Sequence, residues 1–195
     1  MTPPVLRNAW VTLEPLGHGH FAGLEAAAGD PRIWTLTARD GFGPAFAGWF
    51  ADAPAGGRLA FAVRTPAGEL VGSTSLIDLN LQHRSVEVGN TWYAVAAQGT
   101  PVNPACKRLL LGHAFDGLGL NRVQFQVDAR NARSQAAVLK LGAVREGLLR
   151  RHKVTHTGWV RDTVIFSVLA AEWPAVRERL DERLSRFGGE GERGA

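Results

Sequence analysis

The segment 93–107, YAVAAQGTPVNPACK, holds the residues best arranged to do chemistry. Apolar residues ending at Val95 give way to a polar loop, Gln98-Gly99-Thr100-Pro101-Val102-Asn103, and helical spacing begins beyond it. The first amides of a helix have no intrahelical partner and sit at the positive end of its dipole, so such a loop can hold an anion as large as a pyrophosphate. Lys107 and Arg108 fall in the first turns and would add charge. Taken alone, the segment reads equally well as an ordinary strand–helix connection with a good cap. A second candidate, His152-x-x-x-His156, has the spacing of a helical zinc pair. It lies in residues that alternate like a strand and end in a turn, and no third ligand follows, so no metal site is expected. Arg145, Arg150, Arg151 and Lys153 read as a solvated strand face ahead of an RNA surface. The single cysteine, Cys106, excludes an intrachain disulfide and reads as a small apolar residue on a helix.

The elements that must position these residues follow from periodicity. Leu6–Leu16 alternates and predicts a strand; His18–Ala28 predicts a short helix ended by Gly29-Asp30-Pro31. Gly41–Ala53 places Phe42, Phe46, Trp49 and Phe50 on one helical face. Arg58–Arg64 and Leu70–Leu79 predict a hairpin around Pro66–Glu69, and Arg84–Val95 a third strand. Asn103–Gly117 carries helical spacing, with Asn103 as the expected cap and Pro104 at the first helical position. Arg122–Asp128 alternates strictly; Asn131–Leu141 predicts a helix capped by Asn131 and stopped by Gly142. Two strands, Ala143–Val154 and Trp159–Leu169, and a helix over Glu172–Ser185 complete the chain. The passage through residues 84–128 predicts a right-handed parallel crossover.

The chain has 195 residues, which fits one domain, expected over 1–186, with a Gly-rich charged tail, 187–195, expected to be disordered. The longest apolar run, Val164–Ala171, is too short to cross a bilayer, and the N-terminal residues lack a secretory pattern, so a cytoplasmic, non-membrane protein is expected. The formal charge is +4, and 19 of the 22 basic residues are Arg. That surplus suits an anionic cofactor and is weak support for nucleic acid.

Two signatures together carry a resemblance. Gln98–Asn103 resembles the Q/R-x-x-G-x-G/A pyrophosphate loop of the GNAT acetyltransferases. Asp128-Ala129-Arg130-Asn131-Ala132-Arg133-Ser134-Gln135, running on to Lys140-Leu141-Gly142-Ala143, resembles that family's second signature. Glu87-Val88-Gly89 before Trp92 is similar to the branch containing the N-terminal acetyltransferases of ribosomal proteins. The resemblance covers roughly residues 5–170. It departs at Pro101, where the family has Gly, and at Asn103, where it has Gly or Ala; proline offers no N–H to a phosphate.

The resemblance implies an α+β fold: a central mixed, mostly antiparallel sheet of about seven strands with helices on both faces. It implies acetyl-CoA as co-substrate, no metal, and transfer to a primary amine in a ternary complex. The end of the third strand, Tyr93-Ala94-Val95, would pair with the pantetheine arm. Gln98, Gly99, Thr100, Val102, Asn103 and Lys107 would meet the phosphates, and Asn131 would hydrogen-bond the cofactor. Ser134 would protonate the leaving thiolate. Glu87, mid-strand with Val86 and Val88 facing the other way, is the first candidate for a general base, ahead of Asp78 and Asp128; its plain reading is a solvent-facing carboxylate. Trp34 is a candidate wall of the acceptor pocket. Acceptors from a protein N-terminus to a free amino acid, a polyamine or an aminoglycoside all remain compatible, as does a homodimer. A CoA-binding module without turnover and a ribosome- or RNA-associated protein are the alternatives.

Overall fold

The computed structural model describes residues 3–191. It contains one eight-stranded mixed sheet, ordered β1-β2-β3-β4-β5-β6-β8-β7. The strands are β1 (Leu6–Arg7), β2 (Thr12–Pro15), β3 (Leu59–Arg64), β4 (Leu70–Asn80), β5 (Ser85–Tyr93), β6 (Arg122–Asp128), β7 (Val144–Val154) and β8 (Val160–Leu169). The helices are α1 (Phe21–Ala27), α2 (Phe46–Asp52), α3 (Val102–Gly112), α4 (Ala132–Leu139) and α5 (Trp173–Gly191).

The count exceeds the expected seven because the single strand expected over Leu6–Leu16 is two. Asn8 folds the chain back there: its side-chain carbonyl accepts from Trp10 N at 2.9 Å and Val11 N at 3.0 Å. Leu6 and Arg7 then pair antiparallel with Leu13 and Thr12. The tail expected from Phe187 onward begins as helix instead. Helix α5 runs to Gly191, and Phe187 meets Trp10 edge-to-face with centroids 6.5 Å apart. The remainder of that expected tail, 192–195, lies outside the described residues. No helix among the described residues is long and apolar enough to cross a membrane.

Strict alternation gives β5, β6 and β8 two different faces. Val86, Val88, Val123, Phe125, Val127, Val164, Phe166 and Val168 are buried in the main core, with Cys106, Leu110 and Leu111 of α3 and Trp173, Val176 and Leu180 of α5. The opposite face carries Glu87, Gln124, Gln126, Thr163 and Ser167, which the register aligns: Glu87 opposite Gln124, Gln124 opposite Ser167, Asp128 opposite Thr163. Helices α1 and α2 cover this second face over β3, β4 and the end of β5, where Leu24, Trp34, Phe46, Trp49 and Phe50 close a smaller core on Ala60, Ala62 and Trp92, with Leu70 of β4 packed against it. Helices on both faces were expected; one of them is covered over only part of its width.

The expected parallel step is β5 to β6, and it is short. Pairing runs from Ser85–Arg122 to Glu87–Gln124 and stops. Beyond Glu87, β5 bulges: its register against β4 shifts between Ser75–Gly89 and Ser73–Trp92, and Asn90 takes φ 48°, a region Asn tolerates better than most residues. The last residues of β5 therefore have no ladder partner on β6, and a slot opens between the two strands.

Candidate active site

The slot leads to the 93–103 loop. Tyr93 O accepts from Gln98 Nε2 at 3.0 Å, and Ala94 N donates to Val71 O at 2.8 Å. Gly99 turns the chain at φ 81°, and Thr100 Oγ1 donates to Ala97 O at 2.7 Å. Helix α3 starts one residue before its expected cap. Pro101 takes the cap position and its carbonyl accepts from Ala105 N at 2.9 Å. Asn103 therefore does not cap. It lies within the first turn, where its Oδ1 accepts from the Tyr93 hydroxyl at 3.3 Å. Prolines at 101 and 104 carry no N–H and Val102 N donates to Thr100 Oγ1 at 3.3 Å, so Asn103 is left to supply the helix amide, with Gly99 and Thr100 adding those of the loop. The loop thus retains an anion-binding end, built from fewer donors than a glycine-rich version.

Lys107 does not reach that end. It is 6% exposed, faces the sheet, and donates from Nζ to Thr91 Oγ1 at 3.2 Å; Thr91 Oγ1 in turn bonds Thr74 Oγ1 at 2.7 Å. Its expected role of adding charge at the loop gives way to this buried contact. Burial pulls its pKa down to about 8. Because the unfolded chain then holds the proton more tightly, stability should rise as pH climbs from about 8 to the ordinary lysine range. Lys107→Met is expected to stabilise the fold at neutral pH by about 1–3 kcal/mol and to abolish that rise, read from urea melts at several pH values. Neighbouring Cys106 is fully buried with its thiol pushed up to about 11, an unreactive core residue.

Across the slot, Asn131 caps α4 as expected, its Oδ1 accepting from Ser134 N at 2.9 Å. This commits Oδ1 and leaves the Asn131 amide nitrogen for a ligand. Ser134 is half-buried in the first turn of α4. Arg133 from the same turn hydrogen-bonds Gln98 Oε1, linking the two sides of the slot at its mouth.

Glu87 sits on the polar face beside the point where β5 and β6 part. It is 8% exposed, so it is not the solvent-facing carboxylate of its plain reading. Burial lifts its pKa above the usual carboxylate range, opposed by the charge of Lys153 and by Gln124 Nε2, which donates to Glu87 Oε2 at 3.4 Å. The carboxylate folds over Gly89: a Cβ there would lie 2.8 Å from Glu87 Oε1 and 2.8 Å from Ile77 Cδ1. Glycine at 89 is the space the carboxylate occupies. On the same face Ser75 Oγ and Trp92 Nε1 are buried with no hydrogen-bond partner in the protein. Of the alternatives to Glu87, Asp128 is paired with Arg130, and Asp78 is exposed.

Trp34 is placed away from a pocket wall. It is 2% exposed, donates Nε1 to Ala28 O at 3.1 Å, and packs against Trp49 and Trp92. Its carbonyl instead meets His156 Nε2 at 3.0 Å, while His156 N donates to Ala38 O, which pins the β7–β8 turn onto the 34–38 segment. Beside this junction runs a groove of about 390 Å³, lined by Ala38, Asp40, Trp49, Asp52, Thr155 and His156 among others. His152 and His156 join no metal-binding cluster among the described residues. The residues that sequence reasoning left out are Gln124, Gln126 and Arg161, which share the polar face with Glu87. The strict alternation of RVQFQVD, with glutamines between buried apolar residues, was the signal for two of them.

A parallel pair that parts after Glu87, a loop-to-helix end with free amides and a buried carboxylate beside the parting lie together as one candidate site, in a fold of the GNAT type. The chain belongs to that family: residues 11–144 match the acetyltransferase (GNAT) domain, whose members use acetyl-CoA as co-substrate. It is an acyltransferase. Over 106 residues it is 34% identical to the Bacillus subtilis (strain 168) protein named "Putative ribosomal N-acetyltransferase YdaF", a match covering 54% of this chain and only 57% of that protein's length. It is similar in structure to a GCN5-related N-acetyltransferase from Brucella melitensis (TM-score 0.87, 28% identity, 94% and 87% of the two chains). It is also similar to Mycobacterium smegmatis RimJ in complex with CoA-disulfide (TM-score 0.74, 25% identity, 94% and 97%). These likenesses support the branch of ribosomal-protein acetyltransferases.

Proposed function

We propose that this chain transfers the acetyl group of acetyl-CoA to a primary amine by direct attack in a ternary complex, with Glu87 as the base. The observation that carries the reading is the placement of a buried carboxylate, with space cleared for it by Gly89, at the point where β5 and β6 separate. The residues present fit the cofactor. The end of β5, which pairs with β4 and not with β6, offers its open edge to the pantetheine arm, the amides of Gly99, Thr100 and Asn103 are available to the phosphates, and the free amide nitrogen of Asn131 reaches in from α4. The bound cofactor supplies the activated acyl carbon. Glu87, raised by its burial, accepts the proton of the attacking amine directly or through a water. Ser134 delivers a proton toward the departing sulfur. Ser75 Oγ and Trp92 Nε1 are buried polar atoms awaiting partners, which an acceptor on this face would satisfy.

A protein N-terminus is one acceptor to try, because the names of YdaF and RimJ point that way; with it goes a cytoplasmic location. The two prolines at the loop favour one other reading, a CoA-binding module without turnover. Calorimetric titration with acetyl-CoA, followed by turnover on a panel of amines, separates these. Micromolar-range binding with turnover supports the enzyme, and binding without turnover across the panel supports the module. No heat at high protein concentration would end both. Under the module reading, Pro101→Gly tightens cofactor binding without restoring transfer.

A further inference from the structure

The polar face that carries Glu87 also holds two cations which the transfer chemistry does not use. Lys153 of β7 stands directly opposite Arg161 of β8, so their side chains share one face. Arg161 is 6% exposed, and its recorded hydrogen bond is from Nε to Thr163 Oγ1 at 2.9 Å, a neutral partner. Lys153 Nζ donates to Gln126 Oε1 at 2.9 Å, also neutral. Gln126 lies two residues along β6 from Gln124, the residue that touches Glu87. Both cations are close enough to Glu87 for their charges to stabilise its ionised form.

Among the described residues, neither cation has a carboxylate within 4.0 Å. The acids in the neighbourhood are committed elsewhere. Asp128 takes a forked contact from Arg130, Nε to Oδ1 at 3.1 Å and Nη2 to Oδ2 at 2.8 Å. Asp162 Oδ1 accepts from Arg151 N at 2.6 Å, and Asp78 is exposed. A desolvated guanidinium with most of its five N–H groups uncommitted is costly unless an anion meets it. Glu87 cannot be that anion throughout, because it becomes neutral when it takes the proton of the amine.

We infer that Lys153 and Arg161 form a subsite for an anionic group carried by the acetyl acceptor, so that the preferred substrate is a primary amine with its own carboxylate a few bonds away, as in a free amino acid. Arg161 offers a planar fork suited to two carboxylate oxygens, and Lys153 adds a point charge beside it. The same pair repels an acceptor with a second ammonium, which disfavours polyamines. This inference rests on the acetyltransferase reading above.

The test compares kcat/KM for free amino acids with that for their carboxamides, at fixed acetyl-CoA and at pH values matched to each amine. The acids are expected to be preferred by about 10- to 100-fold, the range for a hydrogen bond to a charged group. Arg161→Gln should erase the preference, mainly through KM, while acetyl-CoA affinity stays at the wild-type value and reports an intact fold. Lys153→Gln should reduce it in part and serves if the Arg161 variant does not fold. Peptides with Asp or Glu among their first residues, set against neutral peptides, show whether the carboxylate comes from a side chain or from the α-carboxyl group; either preference supports the subsite. Equal use of acids, amides and neutral peptides overturns it. So does a preference that survives both substitutions, or variants that slow all substrates alike. If acetyl-CoA binds but no amine turns over, calorimetry of amino acids on the CoA-loaded protein decides: acids binding more tightly than amides supports the subsite, and equal binding or none overturns it. Absence of acetyl-CoA binding sinks the underlying reading as well, a distinct result.

Discussion

Glu87→Gln should lower kcat/KM by about 10²–10⁴-fold, the usual contribution of a positioned base, and should at the same time raise the melting temperature at neutral pH. Both effects come from one feature, the desolvated carboxylate. Glutamine keeps the size and leaves an oxygen to accept from Gln124 Nε2, now 3.4 Å from Glu87 Oε2, so packing over Gly89 is preserved. What is lost is the capacity to take a proton. The stability gain has a definite sign. Glu87 is raised in the folded state, chiefly by desolvation, so its protonated form is the one folding favours. Its stabilising contribution is present below the ordinary carboxylate range and disappears as pH rises through the elevated value. Above that point the native protein carries a buried charge, and the glutamine variant does not. The difference in melting temperature between the two proteins should therefore be largest near neutrality and vanish on acidification below pH ~4.5, the unfolded-state value. In the rate, the acidic limb of kcat/KM should lie above the pH expected of a free carboxylate and be missing from the variant. Acetyl-CoA affinity should be unchanged. A variant with full activity and an unaltered melting curve would remove Glu87 from the mechanism.

The second large effect is structural. At Gly72, β4 passes so close to the end of β5 that a Cβ would collide with Trp92 O and lie 2.9 Å from Tyr93 Cα. Backbone cannot rotate aside, so Gly72→Ala must push β4 and β5 apart where β5 bulges. A loss of about 2–4 kcal/mol is expected, at the upper end for overpacking. For a chain of this length that is a fall of roughly 4–16 °C in melting temperature. The displaced segment, Trp92 and Tyr93, borders the slot proposed for the cofactor, so weaker acetyl-CoA binding should accompany the loss. Gly48→Ala is the control. It lies in α2 with nothing within 4 Å of the added carbon, and alanine there should stabilise by roughly 0.5–1 kcal/mol. If Gly72→Ala melts like the control, close approach of the two strands is not what requires glycine.

Much of this arrangement was legible in the sequence, wherever the pattern was local. The alternation of Arg122–Asp128, the cap at Asn131 and the stop at Gly142 each marked an element or its end. The order of elements gave the mixed sheet, and two spaced signatures gave the family. What escaped was decided by contacts between distant segments. The fold-back after Arg7 has no glycine or proline to mark it; the Asn8 side chain makes the turn. Asn103-Pro104 looks like a cap and a first helical residue, but the Pro101 carbonyl claims Ala105 N first and shifts the start. Lys107 shares the buried side of its helix with Cys106, Leu110 and Leu111, a placement its charge does not announce. Phe187 reads as tail in the sequence because its partner, Trp10, lies at the other end of the chain. In the candidate site, Glu87 could be picked out but its burial could not, and Arg161 became visible only when register set it opposite Lys153.

The two unlike faces of β5, β6 and β8 have a consequence for how this enzyme can change over time. Every second residue of these strands is locked into the core, and the residues between them are free of it. If the acceptor lies on this face as proposed, substitutions at Gln124 or Gln126 alter what it meets without disturbing how the helices seat behind the sheet. Under the proposed function, new acceptor preferences are reachable by single changes at the two glutamines that leave the helices seated as they are, and the 93–103 loop, at the end of the slot, need not change with them.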